Sequence, residues 1–548
     1  MLNRHSVVFS IFWLVTFILY LPAAKAGMVG DMPYLLESAN QTSFWDFINI
    51  KGGIALYHVA AFHFYVLIKL FGSNMWLWHL LYISMHSLNA CLMFIFFKRL
   101  LRDSGVANAA GISFTTALLF IVCPHASEVV VWEASNHHSF ATLSIFIVLI
   151  LVQKFQTTQK KTYAISAAAL FLYSSFSHEF FYLTPWMALA AICYYRFACG
   201  TSKPIFRKSI LWFFIPLLLL FIFHLLLLYV VKHTYVSHFG KLEMMPITFY
   251  LNRPIKYIFH VLFFGRYFSF ETRNQVYAFC ELKTLIYLFY TILVSFWAFV
   301  LFRLQQVSGK TKALALTSAC MMMVFLFISP VDFADSLLVR YDRYVYPSIG
   351  FGYLSVVLLV SLINLKILRW IIFTGLASIN IYFAVKVNIY WKQSAYVVKR
   401  LLNELPEPGN KTVLLLNLPD DLNGIPMIAA EEDGRFKSMK NALSSTKIDN
   451  KVYDVVAYKT STMEDGAHVT VMNDSVLKVT LNQWGTWWLY GNLGAGSYEN
   501  KDYKVNMVDE GHWYILTLKK PNTDFLLLYQ IGSIWKTVDM SKKDVDQY

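Results

Sequence analysis

MWLWHLLYISMHSLNACLMFIFF, residues 75–97, runs straight into Lys98-Arg99 and, three residues on, Arg102. The run holds no Asp, Glu, Lys or Arg. About 20 such residues wound as a helix cross the ~30 Å hydrocarbon core of a bilayer, where only structures that satisfy their own backbone hydrogen bonds survive. Working outward, similar runs fall at roughly 6–24, 109–124, 136–153, 163–177, 180–195, 209–231, 282–302, 313–329, 344–364 and 370–389. The chain therefore reads as an α-helical polytopic membrane protein with about 11 transmembrane helices.

The basic cluster after residue 97 recurs at every second crossing. Lys154/Lys160/Lys161, Arg196/Lys203/Arg207/Lys208, Arg303/Lys310/Lys312 and Lys366/Arg369 stand in alternate loops, and Asp103 is the one acid among them. The positive-inside rule makes these loops and the N-terminus (Arg4) cytoplasmic, and an odd number of crossings then puts the C-terminus outside. Arg4, the apolar stretch and Ala24-Lys25-Ala26 also resemble a signal peptide with its cleavage site. In either case the segment after Gly27 starts outside. The stretch at 54–71 is apolar, but as a further crossing it would turn every later basic loop outward; with His58, His63 and Lys69 it reads instead as a helix lying at the interface.

Composition agrees with a membrane protein. Of 548 residues, 57% are hydrophobic and 15% charged, with a mean hydropathy of +0.48. The net charge of +14 does not point to nucleic acid: residues 395–548 hold 17 Lys/Arg against 20 Asp/Glu, a balance of −3, so the remainder carries +17. That excess sits in membrane-flanking loops, where it meets anionic head groups. Six cysteines lie in or beside apolar runs without CxxC or Cys/His spacing, so they read as core residues rather than a disulfide or zinc framework.

Composition breaks near 395–411, at the turn-rich Pro406-Glu-Pro408-Gly409-Asn. Residues 1–394 form the transmembrane module. Residues 395–548 read as a mostly β extracytoplasmic domain, with strands expected over Thr412–Leu418, His468–Leu481, Trp487–Tyr490, Tyr503–Val508, Trp513–Leu518 and Asp524–Ile531. Its tryptophans, Trp484, Trp487, Trp488, Trp513 and Trp535, serve a β core or a glycan platform.

The outer ends of the helices collect the ionisable residues, which are costly at membrane depth and mark function there. His125, Glu128, Glu133, His137 and His138 flank the third and fourth runs. His178-Glu179 joins the fifth and sixth, and Asp332, Asp335, Arg340, Asp342 and Arg343 precede the tenth. Arg266 and Arg273, with Lys256, lie in the long aromatic loop at 232–281. His137-His138 is a candidate metal-binding pair but lacks a nearby acidic cluster of clear spacing, and His79 and His86 suit hydrogen bonds between helices.

In order along the chain, Gly30-Asp31-Met-Pro-Tyr34, Trp78-His79…His86-Ser-Leu-Asn89-Ala90, Pro124-His125-Ala-Ser-Glu128…Trp132, Ser177-His178-Glu179 and Arg343-Tyr344-Val-Tyr346-Pro347 resemble landmarks of the GT-C superfamily of polytopic glycosyltransferases. The likeness is to bacterial and TMTC-type members and spans roughly residues 1–390. It departs in having a single Asp31 where some members have an Asp pair. It implies a GT-C-like fold and transfer of a sugar from a polyprenyl-phosphate donor to a glycan, lipid or protein acceptor, on the periplasmic face of a bacterial inner membrane. Membrane lipids are the other partners. No cofactor is expected, and a divalent metal is left open.

Such a transfer needs a carboxylate to take the acceptor proton and cations to hold the donor phosphate. Asp31 is the candidate base, with capping of the following segment as its alternative. Arg340, Arg343 and Arg266 are candidates for the phosphate, or else partners of neighbouring acids. His125, Glu128, His178, Glu179 and Tyr346 are candidates for substrate contacts, or for helix packing. Alternatives in function are a lipid-linked glycan ligase or polymerase, and a lipid-glycan flippase.

Overall fold

The computed structural model describes residues 2–53, 56–233, 246–329, 342–428, 435–481, 487–489, 497–508 and 513–547. The chain divides into two compact units: Met1–Leu21 with Phe44–Val66 and Leu77–Val387, and Pro22–Ser43 with Leu67–Trp76 and Asn388–Tyr548.

The first unit is helical. Among the described residues, eight helices are long and apolar enough to cross a membrane: His5–Ala24, Met75–Asp103, Glu133–Thr158, Lys203–Lys232, Lys283–Phe302, Gly309–Ile328, Asp342–Val360 and Lys366–Asn403; the first and last leave this unit after Leu21 and Val387, and Met75 and Trp76 belong to the second. Ala109–Ile121 and Pro124–Val131 make a ninth if the pair, bent by 58°, is one broken span. Pro124 causes the break, because it lacks an N–H and pushes the residue before it out of the helical region; Cys123 is accordingly extended. Lys161–Ser175 and Leu183–Phe197 are also helices, but at 15 residues each they reach only about 22 Å. His58–Phe71 is an apolar helix of 14 residues, short of spanning length.

Burial separates an inner from an outer set. Asp342–Val360 is 78% buried over its apolar window and Glu133–Thr158 67%, whereas Lys283–Phe302 is 11% and Lys203–Lys232 17%. The outer helices expose Phe302, Val230, Leu219 and Ile292. Apolar side chains on that scale suit hydrocarbon, not water. Because lipid supplies no hydrophobic drive between helices, small residues and polar ties hold such bundles. Ser87 Oγ bonds Thr16 Oγ1 at 3.1 Å, Asn89 Nδ2 donates to Ser139 O at 3.1 Å, Gln153 Nε2 to Phe96 O at 3.1 Å, and Thr317 pairs with Ser355 at 2.8 Å. His86 is one of these ties, bonding Tyr346 at 2.7 Å.

The basic loops meet at one end. Lys312 Nζ donates to Ala198 O at 3.3 Å, Lys310 Nζ to Ser361 O at 2.8 Å, Tyr195 to Asp103 at 3.1 Å, and Arg196 to Thr201 O at 2.8 Å. Loops assigned to one side from charge alone are thus neighbours in space.

The second unit is β-rich and, among the described residues, carries three sheets. One runs, in spatial order, Ile534–Thr537, Phe525–Ile531, Thr412–Leu415 and Val452–Asp454; its last three strands are parallel. Parallel neighbours need a crossover, and helix Arg435–Leu443 lies in the chain between Thr412–Leu415 and Val452–Asp454. The second sheet is antiparallel, in the order Asp546–Gln547, Ala467–Asn473, Val476–Leu481, Trp513–Leu518, Tyr503–Val508 and Ser497–Glu499. The third orders Ile425–Pro426, Leu418–Leu422, Val456–Thr460 and Trp487–Leu489.

One expectation changes here. The single strand foreseen over His468–Leu481 is a hairpin, because Asn473 Oδ1 accepts from Ser475 N at 3.0 Å and turns the chain. Within the mostly β structure foreseen, the domain also holds an α/β element. Its inner strands, such as Leu418–Leu422, are buried throughout, and so lack the alternation by which strands are read. Trp535 is buried and donates to Leu401 O at 2.8 Å, so it belongs to the core. The side chains of Trp484, Trp487 and Trp488 lie outside the described residues.

Candidate functional site

Helix Asp342–Val360 opens the site. Its first residue, Asp342, is fully buried, and its carboxylate gathers three partners: the Arg266 guanidinium, His260 Nε2 at 2.6 Å and His125 Nδ1 at 3.1 Å. A carboxylate taken out of water is tolerated only when paired and hydrogen-bonded in this way. Each imidazole turns one ring nitrogen to the Asp342 carboxylate. His125 Nε2 and His260 Nδ1 are buried and have no hydrogen-bond partner among the described residues. An imidazole oriented by a carboxylate, with its second nitrogen open, has the makeup of a general base.

The next residue extends the cluster. Glu128 accepts from the Arg343 guanidinium and from the Arg343 backbone N–H at 2.9 Å. Its carboxylate thus serves one of the orphan N–H groups at the start of the helix, where the dipole favours negative charge. The guanidinium lies 5.0 Å from the Trp132 ring and 4.8 Å from the Tyr344 ring, and both faces attract a cation.

Tyr344 borders a second group. Its ring is 5.3 Å from that of His138, which lies 5.0 Å from His178, and His137 stacks on His178 at 4.6 Å. His178 caps the short turn Glu179–Tyr182 by accepting from Phe180 N at 3.3 Å, and Glu179 accepts from the Tyr57 hydroxyl. Burial, then the facing Glu179 carboxylate, pushes Tyr57 well above the usual phenol range, so it stays a donor.

Of the residues singled out from sequence, Arg266, His125, Glu128 and Arg343 therefore meet around residues 342–343, and His178 and Glu179 stand beside them. Tyr346 is fully buried one turn further along, with its hydroxyl between His86 and Asn89 Nδ2, at 2.7 and 3.2 Å. Arg340, like Asp332 and Asp335, lies outside the described residues.

Asp31 belongs to the second unit. It occupies the cap position of helix Met32–Gln41 without a side-chain cap bond, and its carboxylate pairs with Arg435 instead. Gly30, just before it, takes φ +62°, a backbone open mainly to glycine, and its N–H donates to Met427 O at 2.8 Å. The Asp31 side chain remains 43% exposed, which leaves it reachable.

His260, Tyr57 and Arg435 were not singled out beforehand. A signal for His260 did exist: Asn252, Lys256 and His260 fall four residues apart, the spacing of one helix face, with Arg253 three before Lys256, and all four are buried. Lys256, from the same aromatic loop, reaches Glu281 at 2.7 Å.

Burial pushes His260 down to about 4, against the opposing pull of Asp342. A histidine held neutral in the folded state makes unfolding take up a proton between its folded value and the ordinary ~6.5. Its contribution is therefore full above pH 6.5 and is lost as pH falls toward 4. We expect unfolding midpoints of the detergent-purified protein to drop across that window, and to drop less in His260→Gln, whose amide can still donate to Asp342. Equal pH dependence in both proteins would refute this assignment.

Compared with known proteins, the chain matches no family model and no curated sequence.

Proposed function

We propose that this is an integral membrane glycosyltransferase that moves a sugar from a polyprenyl-phosphate donor to a glycan, lipid or protein acceptor. The supporting observation is the buried assembly of Asp342, Glu128, Arg266, Arg343, His125 and His260 at the ends of apolar helices. Ionisable groups so placed are expensive to keep, and in membrane proteins they mark substrate sites. A guanidinium can hold a phosphate through two parallel hydrogen bonds, and Arg266 and Arg343 both stand in this cluster. In this reading Lys161–Ser175 and Leu183–Phe197 cross the membrane as short helices. With the eight long spans and the bent pair they complete eleven crossings. The face bearing the cluster is then extracytoplasmic, opposite the basic loops, and in a bacterium it faces the periplasm. The resemblance noted above gives Asp31 the role of base.

The Asp31–Arg435 pair favours one alternative: a ligase or polymerase using a lipid-linked glycan would rely on the arginines and need no dedicated carboxylate.

Arg343→Lys tests the phosphate role. Lysine keeps the charge but loses the planar fork, so the donor concentration for half-maximal transfer should rise about tenfold, equivalent to ~1.4 kcal/mol, with little change in melting temperature. If Arg343 serves only Glu128, both Arg343→Lys and Arg343→Ala will leave the donor requirement unchanged in the folded fraction.

A further inference from the structure

Three imidazoles converge beside the cluster just described. His137 and His138 stand in the first turn of helix Asn136–Thr158, and His178 stands in the turn after helix Lys161–Ser175. One ring nitrogen from each lies within 4.8 Å of the others. In a tetrahedral zinc site, with Zn–N near 2.0–2.1 Å, such nitrogens are about 3.4 Å apart. Closing the triangle needs each ring to move by less than about 1 Å. His138 and His178 are buried, while His137 is partly open.

The surroundings match what a metal-bound histidine requires. His178 Nδ1 lies 3.3 Å from Phe180 N and 3.6 Å from Glu179 Oε2. It can accept from the amide, or it can carry a proton toward the carboxylate, but not both. A ligand on Nε2 selects the second state, giving the carboxylate–histidine–metal arrangement that fixes tautomer and ring orientation. The facing oxygen, Glu179 Oε2, already accepts from the Tyr57 hydroxyl and has a second lone pair for His178, while Oε1 is buried with no hydrogen-bond partner among the described residues.

We infer that His137, His138 and His178 form a site for one divalent transition-metal ion of the zinc class, oriented through Glu179 and Tyr57. Three imidazoles select borderline metals such as Zn²⁺ or Co²⁺ over Mg²⁺ and Ca²⁺, which want oxygen ligands. Three protein ligands leave a fourth position for water or a substrate oxygen, the pattern of a reactive zinc rather than a closed structural one. The inference does not depend on the transferase reading, since the protein could bind the ion and carry out any chemistry or none.

The test uses the full chain, purified in detergent without a polyhistidine tag, stripped with chelator and titrated with Co²⁺, then Zn²⁺. We expect one Co²⁺ per chain, with the visible absorption of a four-coordinate ion, displaced by Zn²⁺ and unaffected by excess Mg²⁺. Glu179→Gln should weaken binding about 10–100-fold, and His137→Ala and His178→Ala should weaken it further. Zn²⁺ should raise the melting temperature of the parent protein by mass action but not that of His137→Ala. His178 is buried and its variant could fail to fold; the partly open His137 keeps the test decisive. Binding that is absent in the parent, or unchanged when all three histidines are replaced by alanine, would overturn the inference. Equal response to Mg²⁺ would overturn the metal class.

Discussion

Asp342→Ala is expected to destabilise the protein by about 3–5 kcal/mol, the largest effect on stability of any single substitution in the cluster. The carboxylate is fully buried and is the shared partner of Arg266, His125 and His260. Removing it strands a guanidinium that is itself buried, and an uncompensated charge in a low-dielectric interior costs more than the pair was worth. The same logic predicts a rescue. Asp342→Ala with Arg266→Met removes both charges and should recover much of the loss, so the two changes will not add. Chemical unfolding of parent, singles and double in detergent measures this cycle. A loss below about 1 kcal/mol in Asp342→Ala, or additive singles, would show that the cluster is more solvated than its burial indicates.

Asp31→Asn carries the largest expected effect on turnover. Asparagine keeps the size and much of the hydrogen bonding of aspartate but cannot take a proton, so transfer should fall on the order of 10²-fold or more while the protein still folds and inserts. The substitution also removes half of the ion pair with Arg435. That pair is partly exposed, and such pairs contribute about 0–1 kcal/mol, so little stability should be lost. Arg435→Gln is the companion: it breaks the pair and leaves the carboxylate, and should spare turnover if Asp31 is the base. Near-normal transfer in Asp31→Asn would reassign Asp31 to anchoring its segment. The proton acceptor would then be sought in the Asp342-oriented imidazoles, or the ligase alternative would gain.

The helices were legible because hydrocarbon imposes a crude rule. A run such as 75–97 has one reading, and the basic residues after it fix its sense. Arg266, Arg343, His125 and Glu128 were also within reach, since ionisable residues stand out against an apolar background. What sequence could not supply was the pairing. Glu128 meets Arg343 across 215 residues, His260 meets Asp342 across 82, and Tyr57 meets Glu179 across 122. No local periodicity encodes such distances. His260 was hidden because its helix, Ile247–Leu262, mixes polar and apolar faces like a head-group helix, yet buries the polar residues Asn252, Arg253, Lys256 and His260. The Arg435 partner of Asp31 lies 404 residues away, in a helix of the second unit that no strand pattern announced. That unit read as mostly β structure because its antiparallel strands alternate, as Trp513–Leu518 does, while its short parallel strands are buried on both faces.

The central claim is that a polyprenyl-phosphate sugar is the donor. Lipid carriers and surface glycans extracted from cells that encode this protein, and from a deletion strain, test it by mass spectrometry. The account predicts that one polyprenyl-phosphate monosaccharide accumulates on deletion while one sugar disappears from an envelope glycan, lipid or protein, and that the parent gene reverses both changes. Lipid carriers and glycans identical in the two strains, with the protein shown to be expressed in the parent, would contradict it.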